Sequence, residues 1–328
     1  MKSNLFRWGI IGPGRIAHTF AEGFKVIENA EVYAVASRDA GRASEFANEH
    51  NIEVVYNSYK KLLEDKNIDA VYIATPVRFH YEQVDLALEA GKAVLCEKPF
   101  TVNASEAGKL IDKAREKKLF LMEAMWTRYL PVYSQIRHWL NEGCIGDIKL
   151  LTSTFSFNFP RNEQGRLLNH QLGGGALLDL GIYPISISQW VLNQNPIEIS
   201  VSGILGSTNV DEMVAANFKY DTDVISQFCT GMTTKTGNDF YVYGSKGHIR
   251  IHSMFWVATQ ATLSVDDKET VAIKPFRANG FEYETEEAMH CINEGKLESP
   301  GMTLQDTLAN MQLMDNIRKE IGLTYDFE

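Results

Sequence analysis

The chain has 328 residues, 45% of them hydrophobic, with a formal net charge of −10 and an isoelectric point near 5.4. That length exceeds one typical hydrophobic core, so two domains are expected; the acidic balance and the lack of a basic stripe argue against a nucleic-acid partner or an anionic membrane. No apolar run reaches the roughly 18 residues that span a bilayer, and Cys96, Cys144, Cys229 and Cys291 are too scattered for a zinc site or a disulfide framework, which implies no metal and a reducing cytoplasm.

The apolar run after Lys2 is short, is interrupted by Arg7 and belongs to a first strand rather than to a targeting segment. That strand, Leu5 to Ile11, leads through Gly12-Pro13-Gly14-Arg15-Ile16-Ala17 into an amphipathic helix carrying Ile16, Phe20 and Phe24. Gly12-x-Gly14-x-x-Ala17 has the spacing of a dinucleotide fingerprint. Gly12 permits the sharp turn, Gly14 lets backbone approach a pyrophosphate, and Ala17 lets the helix pack close to the strand. The helix start then offers unpaired N–H groups to phosphate. Such turns also occur without a ligand; the strand before this one and the helix after it favour nucleotide binding.

Glu31 to Ser37 reads as a second buried strand, and Asp39 to His50 as a helix with Asp39 as its N-cap. A dinucleotide fold normally ends this strand in an acidic residue that accepts the ribose hydroxyls. Here Ser37-Arg38 stands there instead. A hydroxyl and a forked guanidinium suit a 2′-phosphate, so NADP is expected ahead of NAD. The alternative is a solvated arginine paired with Asp39.

Asp69 to Thr75 is a further strand, Phe79 to Ala90 a helix closed by Gly91, and Ala93 to Cys96 another strand. Their ends, Thr75-Pro76 and Cys96-Glu97-Lys98-Pro99, fall where an open parallel sheet binds its ligand. Thr75-Pro76 reads equally well as a plain turn. Lys98 stands out because it directly follows a buried strand and precedes a proline that fixes the backbone, whereas Lys113, Lys117 and Lys118 read as solvated charge. Asn103-x-x-Glu106 resembles a capping box at the head of a helix to about Lys118, and Leu119 to Glu123 is a short strand. Repeated βαβ units predict a parallel sheet covered on both faces, a Rossmann domain over residues 1–123.

After Ala124 the pattern changes, and residues 124–328 are expected to form a second α/β domain. Tyr129 to Leu140 is helical, Asp147 to Phe159 a long strand, and Gly173 to Asn193 a helical segment opened by glycines. From Ile197 to Ile273 short strands alternate with turn signals such as Tyr220-Asp221-Thr222-Asp223 and Gly244-Ser245-Lys246-Gly247, which predicts an antiparallel sheet. Helices over about Tyr283 to Asn293 and Thr303 to Ile321 close the chain. The run Gly173-Gly174-Gly175 costs backbone entropy and suggests a loop lying against something flat, a nicotinamide being one candidate. Asp179 and Tyr183 follow it four residues apart, on one face of a helix that Pro184 would kink. They are also readable as a structural aspartate and a core tyrosine.

Gly12-Pro13-Gly14-Arg15-Ile16-Ala17, Glu97-Lys98-Pro99 and the Gly-Gly-Gly-x-x-x-Asp-x-Gly stretch at 173–181, in this order and spacing, resemble the glucose-fructose oxidoreductase, inositol dehydrogenase and rhizopine-catabolism (Gfo/Idh/MocA) family over essentially the full length. Glu123-Ala124-Met125-Trp126-Thr127-Arg128 and Asp179-Leu180-Gly181-Ile182-Tyr183-Pro184 look most like its dimeric dihydrodiol dehydrogenase and NADP-dependent D-xylose dehydrogenase branch. Inositol-dehydrogenase-like members carry histidine where this chain has Tyr183, which argues against inositol as substrate.

The resemblance implies a Rossmann domain followed by a substrate-binding α/β domain whose open, mostly antiparallel sheet forms a homodimer interface. It also implies hydride transfer between NADP and a secondary alcohol or carbonyl of a sugar or cyclic trans-diol. The catalytic lysine maps onto Lys98, the acid/base onto Tyr183, and the aspartate lining the same site onto Asp179. Trp126 and Arg128 fall where branch members line the substrate pocket, although either is also suited to packing between domains. Gly12 to Ile16, Ser37, Arg38, Thr75, Pro76, Glu97 and Lys98 make up the expected cofactor contacts. Two alternatives remain: another polyol or anhydro-sugar enzyme of the family, and a non-catalytic dinucleotide-sensing regulator.

Overall fold

A computed structural model describes residues 5–328; Lys2 and the rest of residues 1–4 lie outside the described part. The chain divides into two compact units, one running to Trp126 and including Arg277–Leu308, the other made of Thr127–Phe276 and Ala309–Glu328.

In the first unit the elements are β1 (Phe6–Ile11), α1 (Arg15–Gly23), β2 (Ala30–Ala36), α2 (Ala40–His50), β3 (Val54–Tyr56), α3 (Tyr59–Glu64), β4 (Ala70–Ile73), α4 (His80–Glu89), β5 (Ala93–Glu97), α5 (Ala104–Lys117) and β6 (Leu121–Ala124). The six strands are all parallel, in the order β3-β2-β1-β4-β5-β6. This is the doubly wound arrangement with its topological switch between β1 and β4, where such sheets take their ligand. The central strands β4 and β5 are buried along their whole length, as strands covered on both faces must be. The expected caps form. Asp39 Oδ1 accepts from Arg42 N–H at 3.1 Å, and Asn103 Oδ1 from Glu106 N–H at 2.9 Å. β3 and α3 lie in a stretch to which the sequence assigned no element.

The second unit contains α6 (Pro131–Asn141), β7 (Ile148–Ser156), a π-helical turn Leu177–Gly181 that continues into α7 (Ile182–Leu192), and the strands β8 (Glu198–Leu205), β9 (Asp211–Lys219), β10 (Ile225–Gly231), β11 (Phe240–Gly244), β12 (Gly247–Ile251), β13 (Gln260–Val265) and β14 (Lys268–Ile273). They form one eight-stranded sheet ordered β14-β13-β12-β11-β7-β10-β9-β8. Every pairing is antiparallel except β7 with β10. The sheet is one-sided. Along β9, Val214, Ala216 and Phe218 are buried while Ala215 and Lys219 are exposed, and along β10 Ser226 and Phe228 are buried while Ile225 and Gln227 are exposed. Pro184 is the third residue of α7, directly after the π turn, so it lies in a first helical turn, where a missing N–H is tolerated.

The domain division differs from the expected one in two respects: the first boundary falls after Trp126 rather than after Glu123, and the chain later returns to the first unit. Residues 277–308, with α8 (Phe281–Asn293) and the start of α9 (Leu304–Ile321), belong to the first unit rather than to a continuous second domain. The cause is packing of α8 on α1: Asn279 Nδ2 donates to the Thr19 carbonyl at 2.7 Å, and a Cβ at Gly23 would come within 3.4 Å of Glu282 N.

Candidate active site

β1 ends at Gly12, whose φ of +90° only glycine adopts without strain, and a Cβ there would run into Thr75. Gly14 is different. Its φ of −95° is open to any residue, and an added Cβ would meet only the Ala74 carbonyl at 3.7 Å, an ordinary contact. The chain's own packing therefore does not demand glycine at 14, whereas close approach of a pyrophosphate to the head of α1 does. Ala17 is fully buried, as close helix–strand packing requires. These residues fit a dinucleotide.

At the end of β2, Ser37 is buried and its Oγ accepts from Asp39 N–H at 3.1 Å. Arg38 is exposed, with its guanidinium 5.1 Å from the Phe79 ring centroid, and Arg78 stands 5.9 Å from the same ring. Asp39 uses Oδ1 as the cap of α2. Phe79 and Arg78, in the 3₁₀ turn Val77–Phe79 after Thr75-Pro76, were not picked out by the sequence reading.

Lys98 sits on a loop anchored from three sides. Glu97 Oε2 accepts from Lys98 N–H at 3.2 Å, and Glu97 Oε1 accepts from the Tyr72 hydroxyl. Glu123, at the end of β6, accepts from Phe100 N–H at 3.0 Å. Buried His80 bridges the two strand ends, Nε2 at 2.8 Å from the Thr75 carbonyl and Nδ1 at 3.0 Å from the Pro99 carbonyl. Burial pushes the imidazole pKa down, against the two carbonyls, which favour the protonated ring. Below Glu97 lies Glu284 of α8, wholly buried with neither oxygen hydrogen-bonded; burial, then the Glu97 charge, push its pKa well above the usual carboxylate range. The same two causes keep Tyr72 a protonated donor. Trp126 packs on Phe281, ring centroids 4.5 Å apart.

In the second unit, Asp179 lies in the π turn and accepts two hydrogen bonds from Arg166, at 2.8 and 3.3 Å. Tyr183, in the first turn of α7, is buried with its ring 5.5 Å from Phe155, which in turn stacks on Trp256 at 3.7 Å. Arg128 is buried and donates from Nε and Nη2 to the Ser186 hydroxyl and carbonyl, so it braces α7 one turn beyond Tyr183. A cavity of about 460 Å³ opens beside Arg166 and is further lined by Asn158, Phe159, Arg161, Glu212 and Met232. Phe155, Phe157, Phe159 and Trp256 form a ring cluster that the sequence reading missed; the period-two spacing of the three phenylalanines was the signal available for it, and Trp256 gave none.

The glycine run has a cause other than a flat ligand. A Cβ at Gly174 would lie 2.7 Å from the Leu167 carbonyl oxygen, and one at Gly175, where φ is +129°, would run into the Asp211 carboxylate. Asp211 is fully buried, its Oδ2 accepting from Leu177 N–H at 2.6 Å at the head of the π turn, and burial pushes its pKa up to about 7. Tyr325 donates to the Gly174 carbonyl at 2.6 Å. The loop is thus fastened by the chain itself.

A doubly wound parallel sheet with a fingerprint glycine turn and a lysine held at the end of its fifth strand defines a nicotinamide-dinucleotide-dependent oxidoreductase. Residues 6–125 match the oxidoreductase family with an NAD-binding Rossmann fold, and residues 133–250 match the GFO/IDH/MocA C-terminal domain. The trans-1,2-dihydrobenzene-1,2-diol dehydrogenases of Homo sapiens and Mus musculus are 35% and 36% identical over 328 residues, 97% of this chain and 98% of each relative. A 3-ketoreductase from Actinomadura kijaniata, solved with NADP and TDP-benzene, superimposes with a TM-score of 0.85 at 29% identity, covering 96% of this chain and 98% of its own. The aldose-aldose oxidoreductase of Caulobacter crescentus shares the fold, with a TM-score of 0.88 at 19% identity, covering 96% of each chain. The chain belongs to the Gfo/Idh/MocA oxidoreductase family.

Proposed function

We propose that the protein is an NADP-dependent dehydrogenase or reductase acting on a secondary alcohol or carbonyl of a pyranose sugar or a cyclic trans-diol. The observation that carries this reading is the triple anchoring of the Lys98 loop at the ligand end of a dinucleotide-binding sheet. A sensor has no use for a lysine placed there on so firmly held a loop. When bound, the nicotinamide supplies or takes the hydride. Tyr183 exchanges the hydroxyl proton, Lys98 polarises the substrate oxygen and favours phenolate at Tyr183, and Asp179 orients substrate. The cavity beside Arg166 has the volume of a small-ligand pocket, but Asp179 reaches it only through its hydrogen bond from Arg166 and Tyr183 does not line it, so it is not assigned to the substrate. The test is a panel of sugars, polyols and trans-dihydrodiols followed by NADPH absorbance, with Lys98→Ala as control. Tight NADP(H) binding with no turnover on any of them would favour the sensing reading instead.

Ser37 at the end of β2, with Arg38 and Arg78 against the Phe79 ring, supports a preference for NADP(H). Arg38→Ala is expected to weaken NADP(H) binding by about 1.5–3 kcal/mol, the worth of a charged hydrogen bond, while NAD(H) binding changes little. Cofactor fluorescence titration measures both, and equal affinity of the wild-type protein for the two cofactors would overturn the preference.

We further propose a homodimer through the exposed face of the eight-stranded sheet, in a reducing cytoplasm. Ile204, Ile225, Val271 and Ile273 on β8, β10 and β14 are 60%, 44%, 49% and 66% exposed, an apolar surface that a two-fold partner would cover. Sedimentation at micromolar concentration is expected to give twice the 37.0 kDa chain mass; a monomer would end the proposal.

A further inference from the structure

The first unit brings together three ligand-type side chains that the proposed reaction does not use. His18 lies in the second turn of α1 and His50 ends α2, 32 positions apart in sequence, with His18 Nδ1 and His50 Nε2 2.9 Å apart. Glu49 Oε2 is 3.4 Å from His18 Nδ1, and the three ligand atoms lie within 4.8 Å of one another. The Phe46 ring packs against both imidazoles, 4.6 Å from each centroid, and limits how far either can swing.

We propose that His18, Glu49 and His50 form a binding site for a divalent transition-metal ion, zinc in particular, that clips α1 to α2. Two imidazole nitrogens and a carboxylate are a donor set that zinc accepts, with solvent completing the tetrahedron. Zinc bonds of about 2.0–2.1 Å at tetrahedral angles put two nitrogens about 3.3 Å apart, so the observed pair opens by only a few tenths of an ångström. The N···N contact already directs both rings at one shared proton, and the ion takes that proton's place with both imidazoles neutral. Glu49 is exposed, so the ion has an entry path. The site is structural: α1 starts at the glycine turn and α2 starts next to Ser37-Arg38, so the clip joins the two helices that frame the proposed adenosine end of the cofactor site.

The test uses tag-free full-length protein stripped with EDTA, dialysed, and titrated with zinc alone by calorimetry in a non-coordinating buffer, followed by a thermal melt. Expected are one ion per chain at micromolar affinity or tighter and a raised Tm. His18→Ala and His50→Ala should each weaken binding at least tenfold and Glu49→Gln several-fold, while His248→Ala and His252→Ala leave it unchanged. NADP(H) affinity within twofold of wild type confirms that each variant is folded. Should His18→Ala or His50→Ala fail that check, exposed Glu49→Gln decides. Absence of saturable zinc binding by the wild type, or undiminished affinity in Glu49→Gln, overturns the proposal.

Discussion

Replacing Tyr183 by phenylalanine is expected to lower kcat for alcohol oxidation by about 10²- to 10⁴-fold, the usual worth of a positioned acid or base, with cofactor affinity nearly unchanged. The substitution keeps the ring, and with it the packing against Phe155 that fills the first turn of α7. What it removes is the hydroxyl. A tyrosine with its ordinary pKa of about 10 is mostly protonated near neutrality; making it an effective base by lowering that value two to three units takes roughly 3–4 kcal/mol of preferential stabilisation of phenolate. An unchanged melting temperature separates lost chemistry from lost structure. A kcat within threefold of wild type, with the pH limb at its original position, would transfer the acid/base role to Lys98 and leave Tyr183 as a substrate-orienting hydroxyl.

The parallel half of the molecule was legible because its physics is local. Buried strands such as β4 and β5 are continuous apolar runs, Asp39 and Asn103 are capping residues that act within their own helix, and Gly12 answers to one backbone angle. β3, with three residues, is too short to display a period, so the sequence passed over it. The return of residues 277–308 to the first unit was equally hidden, since it depends on α8 finding α1 some 260 positions earlier.

The candidate site was legible in its charged landmarks and illegible in its supports. Lys98, Asp179 and Tyr183 announce themselves by position, next to a strand end, a proline or a glycine run. His80, Glu123, Glu284 and Asp211 are ordinary polar residues in the sequence, and only burial turns them into tethers for the Lys98 loop, an acid whose pKa is pushed upward, and the anchor of the π turn. The glycine run is similar: the need for glycine at 174 and 175 comes from a pair of loop carbonyls and from a carboxylate 36 positions after Gly175, which no local pattern reveals.

Lys98→Met should cost at least as much as Tyr183→Phe, about 10²-fold or more in kcat, and should also move the pH profile. The loop is held by backbone groups, Lys98 N–H on Glu97, Phe100 N–H on Glu123 and the Pro99 carbonyl on His80, so losing the ammonium leaves its anchors in place. Methionine keeps most of the side-chain length. The sign of the pH shift follows from the charges. A nearby cation favours the charged phenolate and so lowers the tyrosine pKa; without it that pKa rises, and oxidation needs a higher pH to reach the same fraction of base. The lower-pH limb of kcat in the oxidation direction should therefore move upward in Lys98→Met and be lost in Tyr183→Phe. In carbonyl reduction the neutral phenol is the active form, so the reduction limb of Lys98→Met should extend to higher pH while its height falls with the loss of polarisation. A limb that stays put in Lys98→Met while kcat drops would mean that the ammonium acts on substrate alone. A limb that vanishes in Lys98→Met and persists in Tyr183→Phe would make the lysine itself the titrating group.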